Sequence, residues 1–167
     1  MKICILGDTH FGARGDSLEF HNYFKRFYDE IFFPYLLENR INIIFQLGDL
    51  FDRRKYISFQ SLALCRRYFF DVLKANNIKL YTLLGNHDIT FKNTLEVNSP
   101  QLLLKDYDNV VIFDKPIHWE HDIDIIPWIC ADNEKEVNQF IKESTASMCF
   151  GHFEIAGFEM DRGNVCH

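Results

Sequence analysis

A chain of 167 residues with 47% apolar side chains is long enough for one domain with a sizeable core and too apolar for a disordered segment. Its net charge of −6 argues against a plain basic nucleic-acid module, unless acidic groups hold divalent cations that supply positive charge locally. Five cysteines, an odd number with no CxxC pair, suit a reducing compartment better than a disulfide scaffold.

In chain order, residues 3–6 read as a buried strand that delivers Gly7-Asp8-Thr9-His10. Residues 11–16 are a Gly-rich loop. Ser17 then caps a helix over 18–39, on which Phe20, Phe24, Phe27 and Ile31 recur at helical spacing. His21 falls on its exposed face, and Pro34 is expected to bend it or split off its last turn. A second strand, 42–47, delivers Gly48-Asp49, followed by a polar loop over 51–58. Ser58 caps a second helix over 59–76, with Leu62, Cys65, Phe69 and Leu73 as its buried stripe.

A third strand, 79–84, delivers Gly85-Asn86-His87-Asp88. The loop over 86–98 is long and polar, which points to function. Ser99-Pro100 opens a short helix, and 110–113 reads as a short strand. Residues 117–127 alternate as a hairpin, with Ile117 and Trp119 on the side of Ile123 and Ile125. Its His118 and His121 are surface residues, and Trp128 is buried beside it. A helix over 133–143 turns Val137, Phe140 and Ile141 inward. A fourth strand, 147–150, delivers Gly151-His152, and 153–167 has no clear period. Cys4, Cys130 and Cys149 lie in apolar runs and are expected as buried thiols. The stretch before Gly7 is too short for a signal peptide and no 18-residue apolar run predicts a membrane span; the cysteine usage makes a cytoplasmic location the expectation.

Strands alternating with helices predict an α/β fold with a largely parallel first sheet, and the hairpin adds a second, mixed sheet. Ligands in such folds sit outside the carboxyl ends of the strands, so the four Gly-led motifs should share one edge. Asp8, His10, Asp49, Asn86 and His152 then form an oxygen and nitrogen ligand set suited to manganese, iron or zinc. Asp49 is the natural bridge between two ions roughly 3.5–4 Å apart, a pair that clamps a phosphoryl group in hydrolysis. His87 adjoins Asn86 and can protonate the leaving oxygen, with Asp88 orienting it. Arg53, Arg54 and Lys55, and with less support Arg14 and Lys92, are candidate phosphate contacts.

Asp8-x-His10, Gly48-Asp49-x-x-Asp52, Gly85-Asn86-His87-Asp88 and Gly151-His152 resemble, in order and spacing, the calcineurin-type metallophosphoesterase signature. Gly48-Asp49-Leu50-Phe51-Asp52 is similar to the SbcD-type DNA repair exonucleases. Arg54-Lys55, Asp114-Lys115-Pro116, Ile126-Pro127-Trp128 and Gly151-His152-Phe153-Glu154 resemble the T-even-type phage branch of recombination nucleases. The resemblance implies a four-layer αββα sandwich over 1–167. Asp8, His10 and Asp49 would hold one metal ion, and Asp49, Asn86 and His152 the second. His87 would be the catalytic histidine and manganese the usual metal. DNA would be the substrate of an exo- and endonuclease. An SMC-like ATPase of the SbcC type and a second copy of the chain would be partners, in the host cytoplasm for a phage protein.

Two departures stand out. The family's later Gly-His-x-His motif is not present, and His167 does not replace it. The sandwich is therefore expected to be incomplete at its C-terminal end, as in a chain cut short. Some relatives also carry histidine where this chain has Asp52. The metal motifs do not set the substrate, so a phosphoprotein phosphatase or small phosphodiesterase stays open, as does a non-catalytic module.

Overall fold

The computed structural model describes the backbone of residues 1–161 and 164–165 and the side chains of residues 1–158. Cys166 and His167 lie outside the described residues. Strands β1 (Cys4–Leu6), β2 (Ile43–Gln46), β3 (Lys79–Leu83) and β4 (Val110–Phe113) form a parallel sheet in sequence order. Helix α1, built from the segments Leu18–Phe27, Tyr28–Phe32 and Phe33–Glu38, returns the chain from β1 to β2. Helix α2, built from Phe59–Cys65, Arg66–Phe70 and Asp71–Ala75, returns it from β2 to β3. Helix α3 (Ser99–Leu103) lies before β4. Parallel pairing requires such crossovers.

Both faces of this sheet are covered, which is why its strands read as apolar runs. Ile44 and Leu80 pack with Tyr28, Phe32, Phe69 and Leu73 of α1 and α2. Phe45 and Leu83 face the other way, into a second core with Ile123 and Ile125. That core is closed by a second sheet of β5 (Ile117–Trp119), β6 (Ile123–Ile126) and β7 (Met148–Gly151). β5 and β6 pair antiparallel, with Ile117 opposite Ile125 and Trp119 opposite Ile123, as the alternation predicts. The outer face of β6 carries Asp124 and Ile126, both buried. Ser144, just past α4 (Glu134–Glu143), bonds to Asp124 there. The layers are thus helix, sheet, sheet, helix. The tail read as aperiodic contains a small antiparallel pair, β8 (Glu159–Asp161) and β9 (Asn164–Val165).

Both long helices contain a π turn. The Phe33 N–H reaches the Tyr28 carbonyl, and the Asp71 N–H reaches the Arg66 carbonyl. Pro34 follows the first of these turns. The looser winding accommodates its ring and missing N–H, so it does not split off the last turn. Ser17 and Ser58 cap their helices as expected, accepting from the Phe20 and Ser61 N–H groups. The third helix is capped by Asn98, which puts Pro100 second.

The buried stripe of α2 is as read, but that of α1 is one residue out of phase. His21, Tyr28, Phe32 and Leu36 are buried, whereas Phe20, Phe27 and Ile31 are exposed. His21 is buried because partners on α2 satisfy both ring nitrogens: Nε2 is 2.7 Å from Ser61 Oγ and Nδ1 is 3.0 Å from Tyr68 OH. On α4 only Val137 is fully buried, and Ile141 is exposed. Cys4 is half-buried and Cys149 exposed, because β1 and β7 are the edge strands of their sheets; among the described residues Cys65 and Cys130 are the buried thiols.

Candidate metal centre

The loops after β1, β2, β3 and β7 meet at one edge, as the strand ends predict. Backbone bonds join the first two: the His10 N–H donates to the Asp49 carbonyl and the Phe11 N–H to the Leu50 carbonyl. The second loop turns sharply at Gly48 (φ +89°) and Asp49 (φ 52°). Gln46 braces that turn, with Nε2 donating to the Gly48 carbonyl and Oε1 accepting from the Gly48 N–H and the Thr82 hydroxyl. Gly85 must be glycine, since a Cβ there would lie 2.2 Å from Asp49 Oδ1. A bulky third loop would therefore push the Asp49 carboxylate out of place.

Asp49 is buried at the centre. Its Oδ1 accepts the His87 N–H at 2.7 Å. Its Oδ2 lies 3.7 Å from His10 Nε2 and 3.5 Å from His152 Nε2. One ligand atom from each of His10, Asp49 and His87 lies within 4.8 Å of the others, one such group among the described residues. Asn86 joins through Oδ1, 3.0 Å from His152 Nε2. Asp8 stands at the rim, more than half exposed, with its carboxylate 4.0 Å from His152 Nδ1.

These residues fit a cation. His152 Nδ1 faces the Leu47 carbonyl at 2.8 Å, so it carries the proton of the neutral ring. Its Nε2 lone pair then points at Asn86 Oδ1 and Asp49 Oδ2, which are acceptors. Acceptors that converge without a hydrogen between them repel unless positive charge lies among them. His10 repeats the pattern. Its Nδ1 is buried without a hydrogen-bond partner and 3.5 Å from the Asp52 carboxylate, while Nε2 faces Asp49. A carboxylate behind an imidazole is the usual backing for a metal-ligating histidine. With nitrogen and oxygen donors and no thiolate, the set suits a divalent ion such as manganese, iron or zinc.

Residues 1–159 match the family model of the calcineurin-like phosphoesterases. The chain belongs to that family. It is 37% identical over 170 residues to exonuclease subunit 1 of Enterobacteria phage T4, taking in 100% of this chain and 50% of that protein. It is 32% identical over 114 residues to the DNA double-strand break repair protein Mre11 of Methanocaldococcus jannaschii, 66% of this chain and 29% of that one. It spans about half or less of the length of these relatives.

Asp88 does not orient His87. Asp88 is fully buried, with Oδ1 accepting the Leu50 and Phe51 N–H groups and Oδ2 the Gly85 N–H. It staples the second loop to the third. Burial pushes its carboxyl up to about 7, helped by the nearby Asp49 charge and opposed by the backbone donors. His87 is held instead by the Asp52 carbonyl, 2.5 Å from its Nδ1, which leaves Nε2 free of that bond. A backbone acceptor leaves no mark in a sequence, so Asp52's part could be read only as a motif position.

The candidate phosphate contacts differ in availability. Arg53 is engaged by Asp16 at 2.7 Å and lies over the Tyr56 ring. Arg14 lies over Phe20. Arg54 is half-buried, and Lys55 and Lys92 are exposed. Trp128 is half-buried and edge-on to His152, so it walls the site.

Proposed function

We propose that this chain is the catalytic part of a two-metal DNA exo- and endonuclease subunit that uses manganese. The observation that carries the reading is the Asp49 Oδ2 atom set between two imidazole nitrogens at 3.7 and 3.5 Å. A bridging carboxylate between two ions fits that position. His10, Asp49 and Asp8 would hold one ion, and Asp49, Asn86 and His152 the other. Bound there, such ions supply Lewis acidity and an activated water for attack on phosphorus.

The chain's own residues do the rest. His87, held by the Asp52 carbonyl, presents Nε2 to the leaving oxygen and delivers a proton to it. Trp128 excludes water from the His152 side. Arg14, Arg54, Lys55 and Lys92 meet phosphates of an extended strand, Arg53 having its charge committed to Asp16. The names of the phage and archaeal relatives support DNA as substrate and work within a complex.

An SMC-like ATPase subunit of the SbcC type and a second copy of the chain are the partners we assign, in the host cytoplasm. Among the described residues no helix is long and apolar enough to cross a membrane. An apolar patch supports the pairing of copies: Phe59 is 91% exposed, and Tyr56 and Leu102 are mostly exposed beside it.

The test is cleavage of DNA and of phosphodiester and phosphomonoester reporters in manganese by wild type and His87→Ala. We expect DNA and diester cleavage, reduced about 10²–10⁴-fold in the variant. Equal turnover by both proteins would sink the mechanism, and preference for the monoester would favour a phosphatase. A folded chain that binds no manganese would be a non-catalytic module.

A further inference from the structure

The loop that carries His10 is strained along its length. His10, Gly12, Arg14, Gly15 and Asp16 all have positive φ, at 43°, 92°, 55°, 73° and 62°. Non-glycine residues take such angles at a cost, smallest for Asp, Asn and His, and keep them where their surroundings hold them. At the near end of the loop the backbone bonds of His10 and Phe11 to the second loop supply that hold. At the far end the loop's own backbone bonds, from the Asp16 N–H to the Gly12 carbonyl and from the Ser17 N–H to the Ala13 carbonyl, are joined by one side chain that ties it to other elements. Asp16 Oδ1 accepts the hydroxyls of Ser58 at 3.0 Å and Ser61 at 2.6 Å, and Oδ2 accepts Arg53 Nη1 at 2.7 Å.

Each donor has a place that matters. Arg53 directly follows Asp52, whose carbonyl holds His87 and whose carboxylate backs His10. Ser58 caps α2, and Ser61 lies in its first turn. Since Ser61 gives its hydrogen to Asp16, its oxygen accepts from His21 Nε2, and His21 Nδ1 accepts from the Tyr68 hydroxyl. Donation therefore runs one way, from Tyr68 through His21 and Ser61 to Asp16. Its end point is an acceptor that only a carboxylate provides, since an amide would turn an N–H toward one of the donors.

We propose that Asp16 is a positioning residue for the metal centre, knotting the His10 loop to the Asp52–Arg53 segment and α2 so that His10 Nε2 is held toward Asp49. The proposal rests on the reading of that centre as a metal site, but it concerns a residue outside every family motif in the sequence. Asp16 touches no ligand atom of the centre and acts through the loop.

The test compares wild type, Asp16→Asn and Ser61→Ala. Hydrogen exchange at the His10 and Phe11 amides needs no metal. Manganese titration calorimetry reads the centre itself. In Asp16→Asn we expect exchange at both amides to quicken at least about tenfold and manganese affinity to fall about tenfold, within the range known for residues behind a metal ligand. Ser61→Ala, which removes one of the donors, should show a smaller change in the same direction. A merely structural Asp16 would lower the unfolding temperature and leave both readouts of the folded protein at wild-type values. That result in Asp16→Asn, or in Ser61→Ala should Asp16→Asn not fold, overturns the proposal. A wild type that binds no manganese overturns the metal reading, while amide exchange still decides the part played by Asp16.

Discussion

Asp49 and Asp88 are two buried carboxylates on neighbouring loops, and they are buried for opposite reasons. Asp88 has its oxygens filled by backbone N–H groups of Leu50, Phe51 and Gly85. Asp49 takes one N–H, from His87, and turns its other oxygen to two imidazoles. A closed set of bonds makes a staple. An open set leaves an electrostatic deficit that a cation can fill. The same division separates His21, satisfied on both nitrogens, from His10, whose Nδ1 has no hydrogen-bond partner.

The sharpest break of this contrast is Asp88→Ala. Each buried N–H left unpaired costs about 1–3 kcal/mol, so the loss should approach about 5 kcal/mol in denaturant unfolding. Asp49→Ala should leave most of the fold but lower phosphodiester turnover roughly a thousandfold, about 4 kcal/mol in the barrier, with metal binding lost in calorimetry. If Asp49→Ala unfolds the chain as readily as Asp88→Ala, the division between staple and ligand fails. Gly85→Ala tests whether the two loops can move apart. Its Cβ would lie 2.2 Å from Asp49 Oδ1 and 2.3 Å from the Asp49 backbone nitrogen, and overpacking of this kind costs about 1–3 kcal/mol, read as a lowered unfolding temperature together with weaker manganese binding.

The smallest effect belongs to His21. Burial lowers its pKa below the ordinary 6.5, so the unfolded chain takes up the proton first. Its contribution is complete above 6.5 and is lost as the pH falls below that value, with a slope of at most about 1.4 kcal/mol per pH unit. His21→Gln should flatten that part of the stability profile.

Sequence alone carries the strand-and-loop frame of this site well. Ile44, Phe45, Leu80 and Leu83 sit in runs apolar enough to announce buried strands, and each run ends at a glycine, Gly48 for its positive φ and Gly85 for want of room beside Asp49. The phase of α1 was not legible. With aromatic residues on every face, a stripe through Phe20 and Phe27 is as plausible as one through His21 and Tyr28. The choice depends on Ser61 and Tyr68, which are 40 and 47 residues away. The duty of Asp88 was misread for a related reason. Beside His87 in sequence, it points away from that ring and into the backbone of another loop.

The paired π turns bear on how the length of this chain can change. A π turn is an α-helix carrying one extra residue. Tyr28 of the first turn stacks on Tyr68 of the second, with centroids 5.8 Å apart, and packs on Phe69 at 4.8 Å. Removing a residue from one turn would rotate the rest of that helix by about 100° against a partner that had not moved. Homologues that have shed one of these residues should therefore have shed the other, making the two positions a linked pair of insertions rather than independent ones.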